Sequence, residues 1–216
     1  MRVGILVVCL MAGAGVAQAQ TGGVPAESDG YIEVVAQSAF GNVTSQSFGV
    51  EAGYTVRTAT QVFVEVGQAR DTSPSTLGAN AQLIAGALAQ SQSGVGFSVR
   101  QPMTFGVAGI RYIFPTNSGT LEPYVMAGGG IAHVKKDVKF TVGSNDVTSN
   151  LQQFGIVLGS DLTGSETKPM LSLGVGVAWP AWRQLVLDLQ YRYGRVFTSD
   201  EGLNVNRAGI GVGIRF

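Results

Sequence analysis

The sequence predicts an all-β protein, an eight-stranded antiparallel transmembrane up-and-down β-barrel with a short helix in one external loop. Three observations support this class. Segments of about ten residues alternate between apolar and polar or small side chains, and a tilted strand needs about that length to cross a bilayer. Beyond the first residues, no stretch approaches the ~18 consecutive apolar residues of a transmembrane helix. The connections between the segments alternate between short and long.

Residues 1–19 have the pattern of a signal peptide. Arg2 supplies the positive charge at the start, residues 4–16 are almost entirely apolar, and Ala17 and Ala19 form a small-residue cleavage pattern. The apolar stretch is too short for a membrane anchor, and no charged stop-transfer sequence follows it. We therefore expect the chain to be exported and this leader to be removed after Ala19.

The expected mature chain starts at Gln20, with a short N-terminal segment over residues 20–29 and the barrel domain over 30–216. Its formal charge argues against nucleic acid as a partner, because the whole chain has a net charge of zero at pH 7. The single cysteine, Cys9, lies in the leader. The mature protein is therefore expected to lack disulfides and cysteine metal sites.

The last predicted strand shows the alternation most clearly. Over residues 207–216 every second side chain is apolar, and the positions between hold arginine or glycine. Successive side chains of a strand point to opposite faces, so one face is wholly apolar. Such a strand suits a soluble sandwich or a membrane barrel whose apolar face meets lipid. The number of strands and their context favour the barrel.

Seven earlier segments repeat the pattern, although the first, fourth and fifth are less regular. The eight predicted strands are residues 31–40, 48–56, 61–67, 103–114, 121–133, 168–179, 185–194 and 207–216. An even number of antiparallel strands closes without free edges. Closure matters because an unpaired backbone group in hydrocarbon costs several kcal/mol.

The connections predict the orientation of the barrel. Those after the second, fourth and sixth strands are short, at residues 57–59, 115–120 and 180–184. Those after the third and fifth strands are long, at residues 71–101 and 134–167. Outer-membrane barrels have short periplasmic turns and longer external loops. The N- and C-termini are therefore predicted to be periplasmic.

Aromatic residues agree with this arrangement, because they concentrate at the two predicted membrane interfaces. The predicted periplasmic ends hold Tyr54, Tyr112, Phe114, Trp179, Trp182 and Phe216. The predicted external ends hold Phe40, Phe48, Tyr193 and Phe197. A soluble barrel is not expected to concentrate its aromatic residues in two bands at its ends.

With these features the sequence resembles the OmpA-type and OmpX-type eight-stranded outer-membrane barrels. The leader, the eight alternating segments and the closing residues 209–216 carry the resemblance, which covers roughly residues 30–216. It implies assembly by the barrel-assembly machinery, with Phe216 as the C-terminal signal. Outer-membrane lipid and lipopolysaccharide are the expected surroundings. Longer members of the family add a peptidoglycan-binding domain, and none follows Phe216, so we expect no cell-wall tether.

Charged side chains are predicted to face the barrel interior, because a charge facing lipid near the midplane costs roughly 2–4 kcal/mol. The predicted inward charges are Glu33, Glu51, Glu65, Glu122, Asp188, Arg111, Lys168, Arg192, Arg207 and Arg215. Buried charges must be paired, and eight strands leave an interior just wide enough for side chains. Their balanced signs favour a paired network that fills the lumen over a gated ion path.

Catalysis is not predicted. His133 is the single histidine and lies near the external end of the fifth strand. Lipid A deacylases built on small barrels use a Ser-His-acid group at that rim. Their His-x-Ser spacing is absent here, although a spatial neighbour such as Ser172 is a candidate nucleophile. No cofactor is expected, and the only metal left open is a Ca²⁺ held by loop carboxylates.

The two long loops contain further structure. Residues 75–92 are predicted to form a helix, with Thr72 or Ser75 as its cap. Its apolar residues at helical spacing are Leu77, Ala81, Ile84 and Leu88. Three arrangements are considered for this helix: it covers the barrel mouth, it contacts a surface ligand, or it packs on its own barrel. Residues 138–148 are predicted to extend a strand and turn above the membrane.

These observations favour a non-enzymatic outer-membrane barrel with a structural or surface-interaction role through its long external loops. A small-solute or ion channel is the main alternative. A lipid A-modifying enzyme is the third. The sequence identifies no ligand or solute.

Overall fold

The computed structural model describes residues 29–116, 121–159, 162–199 and 202–216. The predicted leader, its cleavage residues Ala17 and Ala19, and most of the segment 20–29 lie outside this part of the chain. In chain order the elements are β1 (Gly30–Phe40), β2 (Ser45–Arg57), β3 (Thr60–Ala69), α1 (Ser75–Ala89), β4 (Val95–Arg100), β5 (Met103–Ile113), β6 (Glu122–Val142), β7 (Asn145–Asp146), a 3₁₀-helix (Thr148–Phe154), β8 (Gly164–Trp182), β9 (Leu185–Val196) and β10 (Leu203–Arg215).

Eight of these strands form a closed antiparallel ring in the order β1-β2-β3-β5-β6-β8-β9-β10. The first and last strands complete it, and the backbone groups of Gly30 and Phe216 exchange two hydrogen bonds of 3.0 Å. The ring confirms the predicted fold. β6 and β8 run past their predicted ends because they pair with each other as far as Lys136 and Gly164. Residues 180–182 accordingly belong to β8 and not to the following turn.

The outer wall of the ring is apolar and the inner wall is closely packed. Large apolar side chains alternate outward, as in Val64, Leu189 and Ile210, which are 55%, 65% and 58% exposed to solvent. A continuous apolar wall of this kind requires lipid as its surroundings. The aromatic residues predicted for the two ends project outward there, for example Trp182 and Phe48. Among the described helices, none is long and apolar enough to cross a membrane.

The two ends of the barrel differ. The terminal end holds Gly30, Phe216 and the short turns, including the turns at residues 58–59 and 183–184. The loop end holds the long connections.

Glycines leave space inside the wall: a Cβ added at Gly53 would lie 2.2 Å from Cε1 of Tyr31, and one added at Gly176 would lie 2.4 Å from Cζ of Tyr124. Any other residue at position 53 or 176 would therefore place its Cβ in the space that these tyrosine rings occupy.

We expect Gly130→Ala to lower the free energy of unfolding by about 1–3 kcal/mol, the usual cost of overpacking. A Cβ at Gly130 would lie 1.9 Å from the carbonyl oxygen of Gly106, so β5 and β6 must separate. Urea unfolding of the barrel in lipid measures the loss. Gly86→Ala is the control, because its Cβ meets nothing within 4 Å and lies in α1. Equal stability of the two variants would show that the β5–β6 spacing tolerates a side chain.

A small sheet continues beyond the ring at the loop end. β4 and β5 both run antiparallel to β6, so β4 prolongs β5 after an interruption at residues 101–102. β7 pairs with the far end of β6 after a turn at Gly143, whose φ of +60° favours glycine. This arrangement confirms the predicted strand extension with a turn. At its tip Asp146 accepts hydrogen bonds from the hydroxyl (2.5 Å) and N–H (2.9 Å) of Thr148, which lower the pKa of its carboxyl.

A second hydrophobic core lies outside the ring, and we call the elements around it the loop unit: α1, β4, β7, the 3₁₀-helix and residues 138–142 of β6. Its buried residues are Leu77, Ala81, Ala85, Leu88, Val138, Phe140, Leu151 and Leu162. The predicted helix is present and ends at Ala89. It packs against the strand extension and the second long loop. Each loop thus supplies part of a core that neither completes alone.

The predicted helix caps are wrong. Pro74 occupies the N-cap position, and no side chain caps the helix. Thr72 is buried and donates its hydroxyl to the backbone oxygen of Gln101 (2.8 Å), while Ser75 already lies within the helix. Asp71 instead joins the two ends of the first long loop, because its Oδ1 accepts the N–H groups of Ser73 and Gln101, both at 3.0 Å.

Candidate functional site

Seven of the ten charges predicted to face inward lie together in the middle of the barrel, each at most 3% exposed. We call them the interior cluster: Glu33, Glu51, Glu65, Arg111, Asp188, Arg192 and Arg207. They come from β1, β2, β3, β5, β9 and β10, so the cluster exists only when the ring is closed. Alternation places each side chain inside, because neighbours on the same strand face lipid.

Arg192 lies at the centre of the cluster. Its Nη1 is 2.6 Å from Oε2 of Glu51 and 2.8 Å from Oε2 of Glu65. Its Nε donates to Oε1 of Gln190 at 2.5 Å. Arg207 contacts Glu65 from the other side, with its Nη1 2.8 Å from Oε1. Glu65 is thus held between two guanidinium groups, the pairing that a buried carboxylate requires.

Arg111 forms a second group, nearer the terminal end. Its guanidinium carbon lies 3.5 Å from the ring centroid of Tyr124, a cation–π contact, and its Nη2 lies 3.3 Å from Oδ2 of Asp188. The Tyr124 hydroxyl donates to the same carboxylate oxygen at 2.7 Å. Tyr31 donates to Oε1 of Glu51 at 2.5 Å and joins this group to Arg192.

Neutral amides, which were not among the predicted inward residues, complete the network. Gln190 donates to Glu33 at 3.4 Å, while Gln37 donates to Gln190 at 3.3 Å. Arg207 in turn donates to Oε1 of Gln37 at 3.3 Å. Both glutamines occupy inward positions of their strands, so strand alternation was the signal that could have found them.

The other three predicted charges lie elsewhere. Glu122 and Arg215 form a bidentate ion pair at the terminal end. Arg215 Nη1 lies 2.8 Å from Oε1 of Glu122, and Nη2 contacts Oε2 of the same carboxylate. Lys168 does not join the interior cluster. It lies at the loop end, where its Nζ is 2.5 Å from Oγ of Ser199 and 3.7 Å from Oε2 of Glu166. The predicted charges therefore divide among three levels of the barrel.

An apolar layer fills the interior between the cluster and the loop end. Its buried inward residues are Ala39, Ala69, Met103, Phe105, Ala132, Val134, Met170, Val196, Leu203 and Val205. Met103, Val196 and their neighbours are at most 5% exposed. Arg207 contacts this layer, with its guanidinium carbon 4.2 Å from the Phe105 ring centroid. The described interior is thus packed with ion pairs in the middle of the barrel and with apolar side chains between them and the loop end.

The histidine considered for catalysis does not meet its candidate serine. His133 projects from the outer wall, where its Nδ1 lies 2.9 Å from Oγ1 of Thr167. Ser172 faces the interior and is 3% exposed. The wall separates the two side chains, so Ser172 is wrong as a nucleophile partner for His133. In the described ranges, no three His, Cys, Asp or Glu residues are grouped to hold a metal ion.

A closed ring of antiparallel strands with an apolar outer wall, interfacial aromatic residues and a polar interior defines an integral membrane β-barrel. The chain belongs to the family described as the outer membrane protein beta-barrel domain, whose model matches residues 5–216. This assignment confirms the resemblance seen in the sequence and places the protein in the outer membrane.

Solved structures show the same fold. Neisserial surface protein A gives a TM-score of 0.53 with 16% identity, covering 88% of this chain and 98% of that chain. A major outer membrane protein from Thermus thermophilus gives a TM-score of 0.50 with 15% identity, covering 87% of this chain and 99% of that chain. These low identities show the fold alone. No curated protein matches this chain in sequence.

Proposed function

We propose that the protein is a non-enzymatic, non-conducting outer-membrane barrel that acts as a structural or surface-interaction protein through its long loops. The observation that carries this proposal is the division of the molecule into a filled barrel and a folded loop unit. The interior cluster and the apolar layer occupy the lumen, whereas the loops build a second core of their own.

The filled lumen argues against the channel alternative. A permeating ion would have to part ion pairs such as Arg192–Glu65, at 2.8 Å, and then cross the apolar layer around Met103. Removing one partner of a buried ion pair typically costs about 3–5 kcal/mol. An apolar layer offers no groups to replace the hydration shell of an ion. Both barriers support a closed barrel.

The proposed orientation places the loop unit outside the cell and both termini in the periplasm. The short turns at the terminal end and the long connections at the loop end support it. The loop unit has a surface suited to contacts with other molecules, because residues 73–99 include no charged side chain and Leu83 is 74% exposed. We propose this surface as the contact region for a surface ligand.

The proposal extends to biogenesis. The leader ending at Ala19 would direct export, and Phe216 would present the C-terminal aromatic side chain to the barrel-assembly machinery. Two features support a role for Phe216: its ring is 65% exposed on the outer wall, and its backbone pairs with Gly30 at the strand junction that closes the ring.

Single-channel recording tests the proposal. We expect the refolded mature chain to give no current steps in planar bilayers, after its insertion has been demonstrated by protease protection. The control is the double variant Glu51→Gln/Glu65→Gln, which removes two carboxylates from the interior cluster. Reproducible steps in the unmodified barrel, with ion selectivity changed in the double variant, would contradict the proposal and make the cluster a pore lining.

A further inference from the structure

One edge of β4, the edge opposite β6, is open. Among the described strands β4 pairs with β6 alone, whereas each strand of the ring has a neighbour on both sides. Two backbone bonds flank the β4–β6 ladder: Gly143 donates to the oxygen of Gly94 at 2.9 Å, and Lys135 donates to that of Pro102 at 3.0 Å. Bonded and non-bonded pairs alternate along an antiparallel ladder. The even-numbered residues of β4 therefore bond to β6, and the odd-numbered residues direct their backbone groups the other way.

Gln101, the next odd-numbered residue, confirms this direction. Its N–H donates to Oδ1 of Asp71 at 3.0 Å, and its oxygen accepts the N–H of Thr72 at 2.9 Å. These partners follow β3, which is paired with β5, so they lie where β3 would continue. The chain then leaves this position at Pro74 to begin α1. The place beside β4 that a longer β3 would fill is left without a strand.

Three residues, Val95, Phe97 and Val99, present their N–H and C=O groups at the open edge. Within the described ranges these groups have no hydrogen-bond partner. The gaps in the description near the loop end, at residues 160–161 and 200–201, are two residues each, which is too short for a strand. A strand that covers this edge therefore has to come from another polypeptide.

The open edge lacks the features that usually protect an edge strand from pairing, namely charged side chains, prolines and bulges. Residues 95–99 contain no charge and no proline, and their register with β6 is unbroken. Val95 and Val99 pack against the second core, while Phe97 between them is 42% exposed. An extended segment placed here would gain backbone hydrogen bonds and an aromatic contact.

A second copy of the chain in the same membrane does not fit this edge. Because β4 prolongs the wall strand β5, its sheet stands roughly along the barrel axis. Antiparallel pairing of two β4 edges needs a twofold axis perpendicular to the sheet, and that axis would turn one copy upside down in the membrane. A twofold axis along the membrane normal keeps both copies upright, but it sets equal backbone groups against each other. The occupant is therefore a different polypeptide.

We propose that the open edge of β4 binds, by strand addition, an extended segment of a partner protein with apolar side chains at every second position. The segment would run antiparallel to β4, as β3 runs antiparallel to β5, and exchange hydrogen bonds with Val95, Phe97 and Val99. Its apolar side chains would lie beside Phe97, because directly opposite residues share a face of the sheet. This inference rests on the proposed surface role of the loop unit and specifies the binding chemistry.

The test uses a synthetic peptide with the sequence of residues 137–143. In the folded chain this sequence pairs with the other edge of β4, so it has the required alternation. The barrel is placed in lipid nanodiscs, the peptide is titrated to millimolar concentration, and amide hydrogen exchange is followed by NMR. Without peptide, the amides of residues 95, 97 and 99 should exchange faster than those of residues 96, 98 and 100. The peptide should slow exchange at residues 95, 97 and 99.

Methylated peptides separate strand addition from a nonspecific apolar contact. N-methylation at the positions of Val138, Phe140 and Val142 removes the amides that would bond to the open edge, and it should abolish binding. N-methylation at the positions of Lys139 and Thr141 should leave the affinity within about threefold, because those amides would face away from β4. Equal binding of the two methylated peptides would overturn the proposal.

Two variants of the barrel test the same point. Phe97→Pro removes one donor from the open edge and none from the β6 ladder, and it should weaken peptide binding about tenfold or more. Phe97→Ala keeps the donor and should weaken binding by less than about fivefold. Continued protection of the Ser98 amide would show that β4 still pairs with β6. Equal losses in the two variants would overturn the proposal, because they would assign binding to the side chain.

Two results with the unmodified barrel would also overturn the proposal: protection of residues 95, 97 and 99 without peptide, or unchanged exchange there at millimolar peptide. Failure of strand addition is distinguishable from failure of the proposed function. A barrel that is silent in planar bilayers and leaves the edge empty overturns strand addition alone, whereas reproducible current steps contradict the proposed function.

Discussion

Arg192→Met is expected to lower the free energy of unfolding of the barrel by about 3–5 kcal/mol, since it removes a guanidinium partner from two buried carboxylates. Arg192 is completely buried and contacts Glu51 at 2.6 Å and Glu65 at 2.8 Å. Methionine fills similar space but donates no hydrogen bond. Glu65 keeps Arg207 at 2.8 Å, whereas the guanidinium that remains near Glu51, that of Arg111, is 3.7 Å away, so Glu51 loses more.

Urea unfolding in lipid bilayers measures this loss, and Arg195→Met is the matched control. Arg195 lies on the same strand but on the opposite face; it is exposed, donates a long hydrogen bond to Asn204 at 3.3 Å, and its guanidinium carbon lies 5.9 Å from the Phe197 ring centroid. Its replacement should cost less than about 1 kcal/mol. The double variant Arg192→Met/Glu51→Gln should recover part of the loss. Equal effects of Arg192→Met and Arg195→Met would mean that the interior cluster does not stabilise the barrel.

Phe140→Ala is expected to destabilise the loop unit by about 3–5 kcal/mol while the ring stays folded. The Phe140 side chain is fully buried in the second core, beside Leu88 and Val138. Truncation removes its contacts and leaves a cavity between elements from both long loops. The ring has its own hydrogen-bond network and its own interior, so the damage should remain local.

Hydrogen exchange of backbone amides measures this local effect. Amides of β4 and of residues 138–142 should lose protection, while amides of β1 and β10 keep theirs. Phe97→Ala is the control, because Phe97 stands directly opposite Phe140 in the strand register but is 42% exposed. We expect it to cost about 1 kcal/mol. Loss of protection throughout β1 and β10 in Phe140→Ala would contradict the independence of the loop unit.

Which side of the wall each residue occupies was predictable, because alternation is a local property of the extended backbone. Asp188 and Leu189 are adjacent in sequence, and the structure buries the first at 2% exposure and leaves the second 65% exposed. The helix of the first long loop was predictable for a similar reason, since its apolar spacing depends on residues within a few turns.

The depth of a residue along the barrel was harder to predict. Lys168 has the parity of the inward residues, yet it lies at the loop end, away from the interior cluster. Depth depends on the stagger between strands, which no single strand encodes. The assignment of Thr72 as a cap was wrong for a comparable reason, because its hydroxyl bonds to Gln101 across the loop.

By itself the sequence determined the class of protein, the eight strands and the apolar outer wall, since these follow from local alternation and the cost of unpaired backbone in lipid. Only the tertiary structure decided which charges meet. Arg192 and Glu65 lie 127 residues apart in the chain and touch only when the ring is closed. The loop unit also depends on contacts between distant segments, because Leu88 and Leu151 come from different loops and share one core. Contacts between distant segments depend on how the ring and loops close in space, and local periodicity does not encode that.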